Sequence, residues 1–426
     1  MRRLATVVAL LLGLSAVGIL GYGVFVFVWG VPSVAQRPTP TDPETISAGK
    51  YLAAAGDCAS CHTVAGGEEF AGGRPFETPF GRLYSTNITP DRATGIGGMT
   101  SAEFYQILAF GADHALSPVY PAMPYTSFHK VTRTDSDALH AYFMSLEPIA
   151  APRKANALPF PFNIRPLMFG WNLLFAERGV FQPDRGKDDV WNRGAYLVQG
   201  LGHCGECHTP RNALGAMKAG SALAGAIIEG FEAPDLRAAA LKERGWTRDD
   251  LVLFFETGAS PQGSAFGEMF LAIKNSLRLL THEDRLAIAT YLMNGSADQP
   301  SKGDEAVAAL GDEAHDNRAG QALYLTNCSL CHGPDGRGMA GTMPPLQGNA
   351  TLAQPDGVNL IAVMAKGLDA NTMSLTEGYG PMPAFGDRLS TEEMADLANY
   401  VRAAFAPNDG AGLGDLTAAD VERILR

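Results

Sequence analysis

The chain carries one short pattern three times: Cys58-Ala59-Ser60-Cys61-His62, Cys204-Gly205-Glu206-Cys207-His208 and Cys328-Ser329-Leu330-Cys331-His332. C-x-x-C-H is the attachment signature of a c-type haem. The chemistry needs that spacing, because two thiols add across the two vinyl groups on one porphyrin edge. The adjacent imidazole is thereby carried under the iron as its proximal ligand. Each motif therefore obliges the residues around it to close over a flat macrocycle. The three motifs use all six cysteines of the chain, leaving none for disulfides, zinc or nucleophilic catalysis. A zinc site would want two Cys-x-x-Cys pairs close together. These pairs lie well over a hundred residues apart, each with its own histidine. The expected cofactors are three covalently bound haem c groups. They would be held by Cys58, Cys61, Cys204, Cys207, Cys328 and Cys331, with His62, His208 and His332 as proximal ligands.

The repeat extends beyond the motifs. Ala48-Gly49-Lys50-Tyr51-Leu52, Arg193-Gly194-Ala195-Tyr196-Leu197 and Ala319-Gly320-Gln321-Ala322-Leu323-Tyr324 lead into the cysteines. Leu139-x-x-Tyr142-Phe143, Ile288-x-x-Tyr291-Leu292 and Leu397-x-x-Tyr400-Val401 close each unit, with apolar residues at i, i+3 and i+4 on one helical face. A glycine in each leading helix lets that face approach a neighbouring backbone closely. Between these ends, Thr100 and Thr247 begin capping patterns for middle helices that stop at Gly111 and Gly258, and a third run, Asn359 to Lys366, stops at Gly367. Strand alternation is weak throughout.

A methionine at the second axial position gives a six-coordinate iron suited to electron transfer, whereas an open position permits chemistry on oxygen or peroxide. Met123 and Met269 each follow their histidine by sixty-one residues and Met382 follows His332 by fifty. Prolines beside Met123 and Met382 stiffen the loops that would present a weak thioether ligand. The expected iron ligands are thus His62 with Met123, His208 with Met269, and His332 with Met382. Met144 and Met293 sit at helix ends, where packing is the ordinary role, and Met339 lies only seven residues from His332. Of the remaining histidines, His140, His203, His282 and His315 are poorly placed, and only His114 and His129 flank a candidate loop. Proximal histidines hand their second N–H to a backbone carbonyl. Pro75 and Pro345, each thirteen residues past a histidine, are the expected sources, and the second unit offers no equivalent.

Arg2-Arg3 precedes an uncharged run from Leu4 to Trp29. Twenty-six residues at helical rise reach roughly 39 Å, enough to cross a bilayer with tilt. The basic residues in front orient the rest of the chain outside. Ser33-Val34-Ala35 leaves open a long cleaved signal peptide instead of an anchor. Net charge is −12 and no basic run occurs, which argues against nucleic acid. The Pro- and aromatic-rich stretch Arg153 to Phe181 is too apolar for a free linker. It serves either to pack neighbouring domains or to dock a partner.

The run from Asp57 through Phe70-Ala71-Gly72-Gly73 to Ser85-Thr86-Asn87-Ile88-Thr89-Pro90-Asp91, with Tyr120-Pro121-Ala122-Met123-Pro124-Tyr125 and PFNIRPLMFGWNLLF, resembles the tri-haem cytochrome c subunits of bacterial membrane-bound dehydrogenases. Those serve alcohol, gluconate, sorbitol and fructose dehydrogenases, and similar cytochromes accompany molybdenum aldehyde or N-heterocycle oxidoreductases. The resemblance spans Ala48 to Arg402 and is more generic in the third unit. It implies a catalytic partner subunit carrying PQQ, flavin or molybdopterin, electron delivery to ubiquinone or another respiratory acceptor, and a place at the bacterial cytoplasmic membrane with the haem domains on the periplasmic side.

The expected fold is all-α, with three tandem class I cytochrome c-like domains after an N-terminal membrane segment. The divisions are 1–36 for a transmembrane anchor or signal peptide, 42–152 for the first domain and 153–188 for the aromatic segment. The second domain follows at 189–297, an acidic linker at 298–316, the third domain at 317–408 and a tail at 409–426. The expected function is electron transfer without catalysis. The competing readings are a haem enzyme of peroxidase or nitrite reductase type, for which no distal acid or base is found, and a membrane tether.

Overall fold

A computed structural model describes residues 13, 15, 17–19, 21, 23, 31–112, 118–293, 317–369, 375, 378–410 and 412–426. Its backbone contacts divide the chain into two compact units. One holds the residues through Leu52 with Cys61–Phe181, the other Ala53–Ser60 with Gln182–Arg426.

Helix crossings organise both units, and small residues set how close the helices come. In the first unit, helix Pro43–Ala55 meets helix Arg133–Ser145 at Gly49, where an added Cβ would lie 1.9 Å from the Ala138 carbonyl oxygen and 2.8 Å from the Tyr142 Cβ. The second unit contains two such crossings. Helix Asp189–Tyr196 meets His282–Leu292 at Gly194, where an added Cβ would lie 1.9 Å from the Ala287 oxygen, and helix Arg318–Asn327 meets Thr391–Phe405 at Gly320, where one would lie 2.2 Å from the Asp396 oxygen. Any side chain at these positions would drive the helices apart. Behind the last crossing, Tyr324, Ile361, Met394, Leu397, Tyr400 and Phe405 form a buried core. The Tyr324 ring meets those of Tyr400 and Phe405 at 5.6 and 5.0 Å.

The middle helices begin and end where the sequence signals place them. Ser101–Phe110 has Thr100 and Glu103 in a reciprocal capping box, and Arg248–Thr257 has Thr247 and Asp250 in another. Both stop at a left-handed glycine, Gly111 and Gly258. The third, Val358–Lys366, stops at Gly367.

The all-α expectation is corrected by three two-stranded antiparallel ladders among the described residues. They are β1 (Pro75–Thr78) with β2 (Gly81–Tyr84), β3 (Ala226–Ile228) with β4 (Phe231–Ala233), and β5 (Ala259–Ser260) with β6 (Gly263–Ser264). Their strands are only two to four residues long, too short to print an alternating pattern on the sequence. The expected N-terminal membrane segment is not shown: most of residues 1–30 lie outside the described residues, and no described helix is long and apolar enough to cross a membrane. The expected linker 298–316, with His315, and His114 also lie outside the described residues.

Candidate haem-binding sites

Each C-x-x-C-H motif folds into one helical turn: Cys58–His62, Gly205–His208 following Cys204, and Ser329–His332 following Cys328. Residues three and four apart share a helical face, so both thiols of a motif and its histidine stand side by side. All six cysteines are half-buried. Burial pushes the Cys204 thiol up to about 12 and the Cys207 and Cys328 thiols up to about 11. Such thiols stay protonated, and it is the thiolate that a soft metal ion takes as ligand. The residues between the cysteines differ. Ser60 is buried, Glu206 pairs with Arg211 at 2.6 Å, and Leu330 is 89% exposed.

The three imidazoles are set in the same way. His62 Nδ1 lies 2.6 Å from the Thr86 carbonyl oxygen, His208 Nδ1 2.7 Å from that of Pro234, and His332 Nδ1 3.1 Å from that of Pro344. A carbonyl can only accept, so Nδ1 carries the proton and Nε2 keeps its lone pair, the tautomer that an iron ligand requires. Burial, the largest influence, pulls all three below the ordinary imidazole value, His208 to about 4. The rings are therefore neutral at pH 7.

The carbonyl sources differ from the expected ones. Pro75 lies at the start of β1, and the acceptor is Thr86, just past β2. Pro344 serves in place of Pro345. The second site, for which the sequence offered no candidate, uses Pro234, the residue after β4. Histidine and acceptor are 24 and 26 residues apart in the first two sites, which contain the hairpins, and 12 in the third, where a Met339–Met343 bridge turns the chain back directly. Two of the ladders that the sequence concealed, β1–β2 and β3–β4, thus lead into the orienting carbonyls of the first two sites.

The three candidate methionines occupy different settings. Met123 lies in a turn in which its amide donates to the Tyr120 oxygen at 3.0 Å. That turn is braced by the aromatic segment. The Tyr120 hydroxyl donates to the Phe162 oxygen at 3.0 Å, the Arg165 guanidinium stands 5.2 Å from the Tyr120 ring centre, and the buried Tyr125 hydroxyl donates to Asn172 Oδ1 at 2.6 Å. Met382 is fixed by two backbone hydrogen bonds with Leu368, each 2.9 Å, and flanks the same core as Cys328. Met269 lies instead in the first turn of helix Gly267–Asn275, packed with Ala265, Phe270 and Ile273. Met293 is buried in packing, and Met339 is 46% exposed.

The other described histidines serve their own surroundings. His129 Nδ1 donates to the Gly179 oxygen at 2.8 Å. His140 lies 3.2 Å from both Thr39 Oγ1 and the Met99 oxygen, and His203 lies 3.3 Å from the Gly56 oxygen. His282 starts a helix. Among the described residues no group of three or more His, Cys, Asp or Glu side chains is arranged to hold a bare metal ion. Paired thiols one turn apart beside a neutral, carbonyl-tethered imidazole fit a covalently attached haem.

Residues 315–401 match the family model described as cytochrome c oxidase, cbb3-type, subunit III. The chain is 40% identical over 412 residues to a nicotinate dehydrogenase subunit of Pseudomonas putida, covering 94% of this chain but 34% of that longer protein. It is 38% identical over 400 residues to the gluconate 2-dehydrogenase cytochrome c subunit of Pantoea cypripedii, covering 89% of each. It is 37% identical over 405 residues to the fructose dehydrogenase cytochrome subunit of Gluconobacter japonicus, covering 88% of this chain and 81% of that one.

Proposed function

The chain belongs to the cytochrome c electron-transfer subunits of dehydrogenase complexes, and from that premise we propose a relay of three covalent haems between a catalytic subunit and a respiratory acceptor. The observation that carries the count is the threefold recurrence of an imidazole whose Nδ1 is committed to a backbone carbonyl. The proposed domains are 42–152, 189–297 and 317–408, one motif to each.

Haem c supplies a one-electron ferric–ferrous couple that stays with the protein through every turnover. The chain's residues do the rest. Cys58 with Cys61, Cys204 with Cys207, and Cys328 with Cys331 hold the group by thioethers, and His62, His208 and His332 present Nε2. Met123, Met269 and Met382 would supply the thioether ligands of the three irons, and such ligation would raise the potential and keep oxygen and peroxide from the iron. The braced turns around Met123 and Met382 hold a weak thioether ligand at small entropic cost. In that arrangement oxidation of substrate falls to the partner, a dehydrogenase subunit carrying PQQ, flavin or molybdopterin. Ubiquinone is the proposed acceptor. The proposed location is the periplasmic side of the bacterial cytoplasmic membrane, the compartment in which c-type haem is attached.

Pyridine haemochrome quantitation of the purified chain should return three haems per polypeptide, and the oxidised protein should show the weak far-red absorbance band of thioether-ligated ferric iron. One or two haems would overturn the count. Three haems without the band would overturn the methionine ligands.

A further inference from the structure

Strand β4 carries a half-buried carboxyl group that the relay does not use. Glu232 sits opposite Ile227 in the β3–β4 hairpin, and its main chain is clamped by one side chain from helix Val358–Lys366. Asn359 Oδ1 accepts from the Glu232 amide at 2.8 Å, and Asn359 Nδ2 donates to the Glu232 oxygen at 2.8 Å. The residue is thus fixed in the seam where the hairpin meets that helix. Its Oε2 is buried, and its carboxyl group meets that of Asp356 in a side-chain hydrogen bond. Two residues further on, the Pro234 carbonyl holds His208.

The charged groups around Glu232 come from every element that meets it. Asp356, in the turn before helix Val358–Lys366, lies against its carboxyl group. Arg244, at the end of helix Ala238–Glu243, and Asp235, just past β4, also act on it electrostatically. The Arg244 guanidinium donates to the Asp235 carbonyl oxygen. Arg244 and Asp235 also act on His208, so one pair of charges faces both the carboxyl group and the imidazole. Lys366, at the far end of the helix, is spent over the Phe231 ring at 4.9 Å.

We propose that Glu232 is a proton-binding positioning residue for the second haem, exchanging a proton with solvent as the iron tethered by His208 changes oxidation state. This rests on the reading of His208 as the proximal ligand of a haem attached to Cys204 and Cys207. The balance is one proton against one electron. When the site takes an electron from its donor, Glu232 takes a proton from water. When the electron leaves, the proton returns to water. Burial and the neighbouring Asp356 carboxylate raise the Glu232 carboxyl to about 8, so it is protonated at neutral pH yet within reach of deprotonation. Ionised Glu232 would add a negative charge two residues from the Pro234 carbonyl that tethers His208, and so would favour the ferric form. The potential of the second haem should therefore fall as pH rises through about 8.

The test is spectroelectrochemical titration of the full-length protein over a range of pH. The second-haem component is identified as the one missing when Cys204 and Cys207 are both replaced by serine. In the wild type that component should fall with pH around 8 and level off on either side. Glu232→Gln should make it flat with the haem count unchanged. Asp356→Asn should keep the transition but move it to lower pH. A wild-type component with no pH dependence, or one that Glu232→Gln leaves intact, overturns the proposal. A transition abolished by Asp356→Asn but kept by Glu232→Gln would put the proton on Asp356 and overturn it equally. If the Cys204/Cys207 double variant keeps its full haem count, the underlying attachment reading fails instead.

Discussion

Gly194 illustrates what one residue decides here. A methyl group at that position would stand 1.9 Å from the Ala287 carbonyl oxygen and 2.8 Å from the Tyr291 Cβ, and neither neighbour is a flexible side-chain end. Gly194→Ala must push helix Asp189–Tyr196 off helix His282–Leu292. Overpacking of this kind costs about 1–3 kcal/mol. The expected outcome is a lower thermal midpoint of the haem-loaded protein, and an unchanged midpoint would show that the crossing has room for a methyl group. This crossing was legible in the sequence, because a glycine on the first helix and an apolar residue followed at i+3 and i+4 by Tyr and another apolar residue on the last recur in all three repeats. The carbonyls that orient the histidines were not. A backbone oxygen has no side-chain identity, so any residue can supply it, and Thr86 and Pro234 are chosen by where a hairpin ends rather than by what they are.

At the scale of elements, the helices announce themselves and the ladders do not. Capping boxes at Thr100 and Thr247 and left-handed glycines at Gly111 and Gly258 are local signals, readable within four residues of chain. The β3–β4 hairpin has three residues per strand and gains its place from the Asn359 clamp, 127 residues away from Glu232. Nothing local encodes that contact. Its stability should depend on pH with a definite sign. The Glu232 carboxyl stands near 8 in the folded chain against an ordinary 4.5, so the folded state binds the proton more tightly than the unfolded one. The resulting stabilisation is fully present below about 4.5 and is lost as pH rises through about 8. Thermal midpoints of wild type and Glu232→Gln, measured from about pH 5 to about pH 9, should therefore diverge, the wild type falling further. Parallel curves would mean that Glu232 is not protonated in the folded seam.

The whole molecule poses the question of order. Similarity to the gluconate dehydrogenase cytochrome subunit covers 89% of both chains, so the relative carries a counterpart to nearly all of this one and not to a single repeat. If three haems act in series, each is indispensable to throughput but not to the reduction of those before it. Paired serine replacements at Cys58/Cys61, Cys204/Cys207 and Cys328/Cys331 should each abolish reduction of the proposed acceptor, ubiquinone, by the complex with its dehydrogenase partner. Upon addition of the partner's substrate under anaerobic conditions, the three variants should differ in how much of their remaining haem is reduced. Loss of the entry haem should leave both survivors oxidised, loss of the middle one should leave one reduced, and loss of the exit haem should leave both reduced. That graded pattern, read from the α-band absorbance against total haem, would assign the sequence of transfer without measuring any distance. A variant that keeps quinone reduction at the wild-type rate would place its haem off the path, and equal reduction in all three would replace the series with parallel entry.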